Sequence, residues 1–154
     1  MIRGWSFKEN IMQSKEMYRQ VIMDHYKNPS NRVSEDVEGY LKREALNPSC
    51  GDTIKIYLLI EDGIVKDIKF NGEGCSICCS SASVMTNEFM GLTIEELKSK
   101  VENFHDIIKD ADEEHLEDFE DGQVFIGIKD FPARFKCAYL SWDTAKKLVE
   151  ENNG

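Results

Sequence analysis

Five cysteines are the residues of this chain with the most reactive side chains, and they fall at positions 50, 75, 78, 79 and 137. An odd number of cysteines cannot form a complete set of disulfide pairs. The N-terminal sequence also lacks the apolar segment and small-residue cleavage site of an export signal, so we expect a cytoplasmic chain with reduced thiols. Metal binding or thiol chemistry is therefore the predicted use of these cysteines.

Cys50 lies in the sequence NPSCGD at positions 47–52, which predicts a tight turn directly before a strand. Because a proline and a glycine flank this thiol, we expect the turn to present the sulfur rather than bury it. Asp52 follows two residues later and begins a strand that otherwise faces the core. A lone carboxylate in that position indicates a specific role.

Cys75 and Cys137 are both predicted near the beginning of a helix. Cys75 follows a glycine-rich loop, where free N–H groups and the helix dipole stabilise a thiolate. Cys137 comes early in the last predicted helix, with Arg134 and Lys136 beside it, so we expect a lowered pKa for its thiol as well.

Convergence of these cysteines would restrict their chemistry. If the fold brings Cys50, Cys75 and Cys137 together with Asp52, three thiolates and one carboxylate make a tetrahedral ligand set. Such a set suits Zn²⁺, or an iron–sulfur cluster with one exchangeable ligand. None of the three histidines is predicted as a ligand. His25 is expected to complete the packed face of the first helix.

A second interpretation concerns the CxxC sequence from Cys75 to Cys78, which is typical of thioredoxin-like redox proteins. The predicted elements argue against it, because an antiparallel hairpin precedes the motif and no βαβ unit surrounds it. Cys78 and Cys79 are predicted as buried core residues of a helix.

The predicted elements indicate an α+β fold, a small three-stranded antiparallel sheet with helices packed on one face. Glu61-Asp62-Gly63 is predicted as the short turn of a hairpin. A capping box opens a helix that we expect to end near Glu102. Residues 1–13 are predicted as a flexible arm and residues 14–154 as a single domain. In chain order, the predicted elements are a helix over 15–26, strands over 44–47, 53–60 and 64–70, a helix from Gly74 to Gly91, a helix over 93–102 and a last helix after Pro132.

Composition excludes several functional classes. The chain has 154 residues and a net charge of −10, which argues against nucleic-acid binding. No apolar run approaches the roughly 18–20 residues that span a bilayer. Ten acidic residues and one lysine lie in the segment 102–121, called here the acidic segment. It is predicted to be a solvated face or a surface that attracts a basic partner.

Four segments of the chain form a recognisable set: YRQVIMDHYKNP at 18–29, NPSCGD at 47–52, GEGCSI at 72–77 and FPARFKC at 131–137. In this order along the chain, they resemble the IscU/NifU-N family of iron–sulfur assembly proteins. The resemblance extends from about Tyr18 to Glu150. Lys136 stands where scaffold members have histidine. A longer insert, which includes the acidic segment, lies between Cys75 and Cys137. The chaperone-binding segment that scaffold members have before the last of these cysteines is missing. These differences resemble the SufU branch.

The resemblance implies a function, a ligand set and partners. It implies a zinc-dependent sulfurtransferase that takes persulfide sulfur from a SufS-type cysteine desulfurase and works with downstream iron–sulfur assembly proteins. Cys50 is the expected sulfur acceptor, and the implied metal ligands are Cys50, Asp52, Cys75 and Cys137. The alternative function is a scaffold on which a [2Fe–2S] cluster is assembled and then transferred.

Overall fold

The computed structural model describes the backbone of residues 7–153 and the side chains of residues 15–152. Its regular elements are, in chain order, α1 (Phe7–Lys27), β1 (Leu41–Asn47), β2 (Asp52–Glu61), β3 (Ile64–Glu73), α2 (Ser76–Phe89), α3 (Ile94–Asp110) and α4 (Phe135–Asn153). Three 3-10 segments, Leu116–Asp118, Gly122–Asp130 and Pro132–Arg134, connect α3 to α4. None of the helices described here is long and apolar enough to cross a membrane.

The first helix is longer than the apolar periodicity predicts, since α1 begins at Phe7 rather than near Lys15. The predicted arm lies partly outside the described residues, which exclude residues 1–6. His25 packs as predicted, with a side chain only 11% exposed. Its Nδ1 lies 2.7 Å from Ser83 Oγ and its Nε2 lies 2.8 Å from Asp121 Oδ2, so the ring joins α1 to α2 and to the acidic segment.

The three strands form the predicted antiparallel sheet, in the order β1-β2-β3. Asp62 and Gly63 connect β2 to β3, and both have positive φ, as a two-residue hairpin turn of type I′ requires. Asn47 pairs with Asp52, and Thr53 pairs with Glu73. The β1–β2 turn and the end of β3 therefore lie at the same end of the sheet.

Helices cover one face of the sheet, as predicted. Ile54, Ile56 and Leu58 alternate along β2 and are fully buried in the core. Behind them, Phe104 of α3 stacks on Trp142 of α4 with ring centroids 3.8 Å apart. This continuous apolar core fixes where the first turn of α4 meets the sheet.

The capping box is present, because Thr93 accepts a hydrogen bond from the Glu96 backbone and Glu96 accepts one from the Thr93 backbone. The predicted helix end near Glu102 is wrong, since α3 continues to Asp110. Its buried positions Phe104 and Ile107 prolong the helical period beneath the acidic residues.

The end of the acidic segment is fixed to the core by a buried carboxylate. Glu88 of α2 accepts a hydrogen bond from the Gly122 backbone at 2.8 Å. The same carboxylate pairs with Lys100 of α3 at 3.2 Å. This contact determines where the 3-10 segment Gly122–Asp130 starts, and hence the path of the chain toward α4.

Candidate metal centre

Cys50 lies on the turn between β1 and β2. The Cys50 backbone N–H donates to the Asn47 carbonyl at 3.2 Å, and Gly51 next to it has a φ of +72°. The turn is the one predicted from the proline and the glycine. Cys50 is half-buried, so the turn leaves this residue partly exposed.

Asp52 is the first residue of β2, and only 1% of it is exposed. Its Oδ1 accepts a hydrogen bond from the Cys75 backbone N–H at 3.0 Å. Cys75 is the N-cap residue of α2, as predicted from the glycine-rich loop before it. The backbone at the start of α2 therefore orients the carboxylate of β2.

Cys137 comes from the first turn of α4 and is fully buried. Its Sγ lies 3.2 Å from Cys50 Sγ, although the two residues are 87 positions apart. The ligand atoms of Cys50, Asp52 and Cys137 all lie within 4.8 Å of one another, which is close enough for one metal ion to contact them. Cys75 is not in that set of three, but its backbone N–H contacts Asp52, so the start of α2 borders the same point.

The thiol of Cys137 does not have the predicted lowered pKa. Burial raises it, and hydrogen bonding with Cys50, Asp52 and Cys75 raises it further. Arg134 does lie beside Cys137, as expected, and this contact raises the pKa of the arginine. The prediction was wrong because it counted neighbouring charges and left out desolvation, which is the largest effect on this thiol.

Cys78 and Cys79 are buried on α2, as predicted, with 0% and 5% of each residue exposed. Burial raises the pKa of both thiols. A redox-active CxxC needs an accessible cysteine with a low pKa. Cys78 is a core residue of α2, and the strand before the motif belongs to an all-antiparallel sheet rather than to the βαβ unit of a thioredoxin-like protein.

Comparison with known proteins identifies the family to which this arrangement belongs. Residues 17–138 match the model of the NifU-like N-terminal domain. The chain belongs to this family.

Relatives in the family differ in the functions that their names give. The zinc-dependent sulfurtransferase SufU of Bacillus subtilis strain 168 is 40% identical over 149 residues, which cover 97% of this chain and 98% of the relative. The iron–sulfur cluster assembly scaffold protein IscU of Thermotoga maritima is 36% identical over 145 residues, covering 91% and 97%. A crystal structure of a proposed SUF-system scaffold protein from Fervidobacterium islandicum AW-1 superposes with a TM-score of 0.73 at 27% identity, covering 88% of this chain and 98% of that one.

Asn47 is a residue at this site that the sequence analysis did not single out. It ends β1 and is only 4% exposed. Its side-chain amide lies 3.3 Å from Asp52 Oδ2 and 3.7 Å from Cys137 Sγ. Its position beside Pro48 predicted only a turn, because contact with Cys137 depends on the tertiary fold.

Proposed function

We propose that this chain is a zinc-dependent sulfurtransferase of iron–sulfur cluster assembly, which accepts persulfide sulfur from a SufS-type cysteine desulfurase. The observation that carries the proposal is the meeting of Cys50, Asp52 and Cys137 at one largely buried point, with the backbone of Cys75 bonded to Asp52. The name and the nearly complete alignment of the Bacillus subtilis relative support the same activity.

The donor set fits zinc. Thiolates and carboxylates are common zinc ligands, and two sulfurs each about 2.3 Å from a tetrahedral zinc lie roughly 3.8 Å apart. Cys50 Sγ and Cys137 Sγ, at 3.2 Å, need only a small adjustment to reach that separation. The residues that would hold the ion are Cys50, Asp52, Cys75 and Cys137. When bound, zinc would keep the thiols deprotonated at neutral pH.

Cys50 is the proposed sulfur acceptor. Once free of the ligand set, its thiolate would attack the terminal sulfur of the persulfide on the donor cysteine. A new S–S bond would form to Cys50, the donor's S–S bond would break, and the donor cysteine would leave as a thiolate. Cys50 is half-buried on a turn, whereas Cys137 is fully buried in a helix. Access therefore favours Cys50 over Cys137, and Cys75, which is also half-buried, is held at the start of α2 rather than on a turn. The sulfur would then pass to downstream iron–sulfur assembly proteins.

The test of the proposed function has two parts. Protein purified without oxygen is analysed for zinc and iron, and its visible spectrum is recorded. It is then incubated with a SufS-type desulfurase and cysteine, alkylated, and examined by mass spectrometry. We expect one colourless zinc ion per chain and one added sulfur atom on the peptide that contains Cys50.

Matched variants make the second part specific. Cys50→Ser should abolish the sulfur adduct, while Cys79→Ser should leave it in place, because Cys79 lies in the core of α2. Added sulfur on Cys79, with Cys50→Ser still active, would overturn the assignment of the acceptor. A stable iron–sulfide chromophore in place of zinc would favour the alternative, a scaffold for a [2Fe–2S] cluster, which the name of the Thermotoga maritima relative supports.

A further inference from the structure

We propose that Asn47 is a positioning residue of this centre, whose buried side-chain amide orients Asp52 and donates a hydrogen bond to the sulfur of Cys137. By these two contacts it sets how tightly the centre holds zinc. The inference rests on the proposed function, because it assigns a role in the same metal site.

The surroundings of Asn47 require its amide nitrogen to face the centre. The side chain is almost fully buried, so its polar atoms need partners inside the protein. The two partners, Asp52 Oδ2 and Cys137 Sγ, are both hydrogen-bond acceptors when ionised. An amide turned the other way would place its oxygen against a carboxylate and a sulfur. Only the orientation with the NH₂ group inward satisfies both partners.

The two oxygens of Asp52 are held from different directions. Oδ1 accepts from the Cys75 backbone at 3.0 Å, and Oδ2 accepts from Asn47 at 3.3 Å. Donors on both oxygens fix the plane of the carboxylate as well as its position. A side-chain substitution cannot remove the contact with Cys75, because its donor is a backbone N–H. The contact with Asn47 can be removed, because its donor is the side-chain amide.

The contact with Cys137 acts on the metal centre in a second way. An N–H group that points at a thiolate withdraws electron density from the sulfur and so changes how strongly that sulfur donates to a metal. The 3.7 Å separation lies within the usual range for a hydrogen bond to sulfur. Asn47 thus contacts two of the proposed ligands, one from β2 and one from α4, with a single functional group.

If Asn47 only closed the turn, loss of its side chain would leave zinc affinity unchanged. The Asn47 carbonyl accepts from the Cys50 backbone and closes the turn, but this bond does not use the side chain. Asn71 on β3 provides a matched control, because it is an asparagine in the same sheet. Its Oδ1 accepts a hydrogen bond from the Gly72 backbone at 2.9 Å, a contact that involves none of the proposed ligands.

The experiment compares Asn47→Ala, Asn47→Leu and Asn71→Ala with the wild-type chain. Zinc affinity is measured by competition with a chromophoric chelator, and the sulfur-to-metal charge-transfer band is recorded after replacement of zinc by Co²⁺. Loss of an outer hydrogen bond to a metal ligand typically lowers affinity about 10- to 100-fold. We expect a loss in that range for both Asn47 variants, together with a shifted charge-transfer band, and wild-type values for Asn71→Ala.

Asn47→Leu keeps the volume of the side chain without its donors, so it covers the case in which the alanine variant fails to fold. Wild-type affinity and an unshifted cobalt band in a folded Asn47 variant would overturn the inference. Equal losses in Asn71→Ala would also overturn it, since they would indicate general weakening of the sheet. A wild-type chain that takes up no zinc would instead refute the proposed function, so the two failures are distinguishable.

Discussion

Gly74→Ala tests whether the position of Asp52 matters to the metal centre. Gly74 has no positive φ, so alanine fits its backbone. A Cβ atom at this position would lie 2.3 Å from Asp52 Oδ1 and 3.0 Å from its Cγ. Ordinary contact begins near 3.4 Å, so the carboxylate must move by about 1 Å or more.

That movement takes Asp52 Oδ1 away from the Cys75 backbone N–H, which lies 3.0 Å from it in the wild type. A hydrogen bond to a charged group contributes roughly 1.5–3 kcal/mol, and each 1.4 kcal/mol corresponds to about tenfold in affinity. We expect zinc affinity to fall about tenfold, which corresponds to the lower end of that energy range, because three thiol ligands remain to hold the ion.

The assay is chelator competition, and Gly127→Ala is the control. A Cβ atom at Gly127 would have no neighbour within 4 Å, and Gly127 also lacks a positive φ. The decisive measurement is a double-mutant cycle with Asp52→Ala. Once the carboxylate is absent, Gly74→Ala should have no further effect on zinc affinity. An equal loss in the Asp52→Ala background, or in Gly127→Ala, would refute the reasoning.

Three further predictions concern regions around the centre. Cys78→Ala should accept sulfur at the wild-type rate and lose about 1 kcal/mol of unfolding free energy, as small deletions in a core do; a lost sulfur adduct in mass spectrometry would contradict this. Replacing the exposed Glu113, Glu114 and Glu117 with glutamine should slow association with the desulfurase at low salt and have less effect at high salt, as stopped-flow kinetics can show; identical rates at low salt would mean that these residues only solvate the surface. Thr93→Ala removes half of the capping box and should lower the free energy of unfolding by about 1 kcal/mol. For a domain of this size that is a fall of roughly 2–4 °C in Tm, and an unchanged Tm would contradict the prediction.

Local features of the structure were predictable because their cause lies in a few neighbouring residues. The Asp62-Gly63 turn forms since both residues accept a positive φ. The capping box at Thr93 needs only the glutamate three positions later. The turn around Cys50 follows from its flanking proline and glycine. Each of these predictions is confirmed.

Features that depend on burial were not predictable in the same way. The predicted end of α3 near Glu102 is too early, because the apolar positions Phe104 and Ile107 that continue the helix lie among acidic residues. The raised pKa of Cys137 depends on the core of α4 and on a thiol 87 positions away. The contact of Asn47 with Cys137 has the same origin. Contacts between distant parts of the chain, rather than local sequence, determine the end of α3, the pKa of Cys137 and the position of Asn47.

The register of the sheet explains why these distant residues meet at one point. Asn47 faces Asp52 across β1 and β2, and Thr53 faces Glu73 across β2 and β3. The turn with Cys50 and the start of α2 must therefore lie at one end of the sheet, where packing of α4 on the sheet brings Cys137. A thiol at the end of an element can approach a metal without interrupting strand pairing or helix hydrogen bonds. The core can consequently remain closely packed while Cys50, on its turn, is only half-buried.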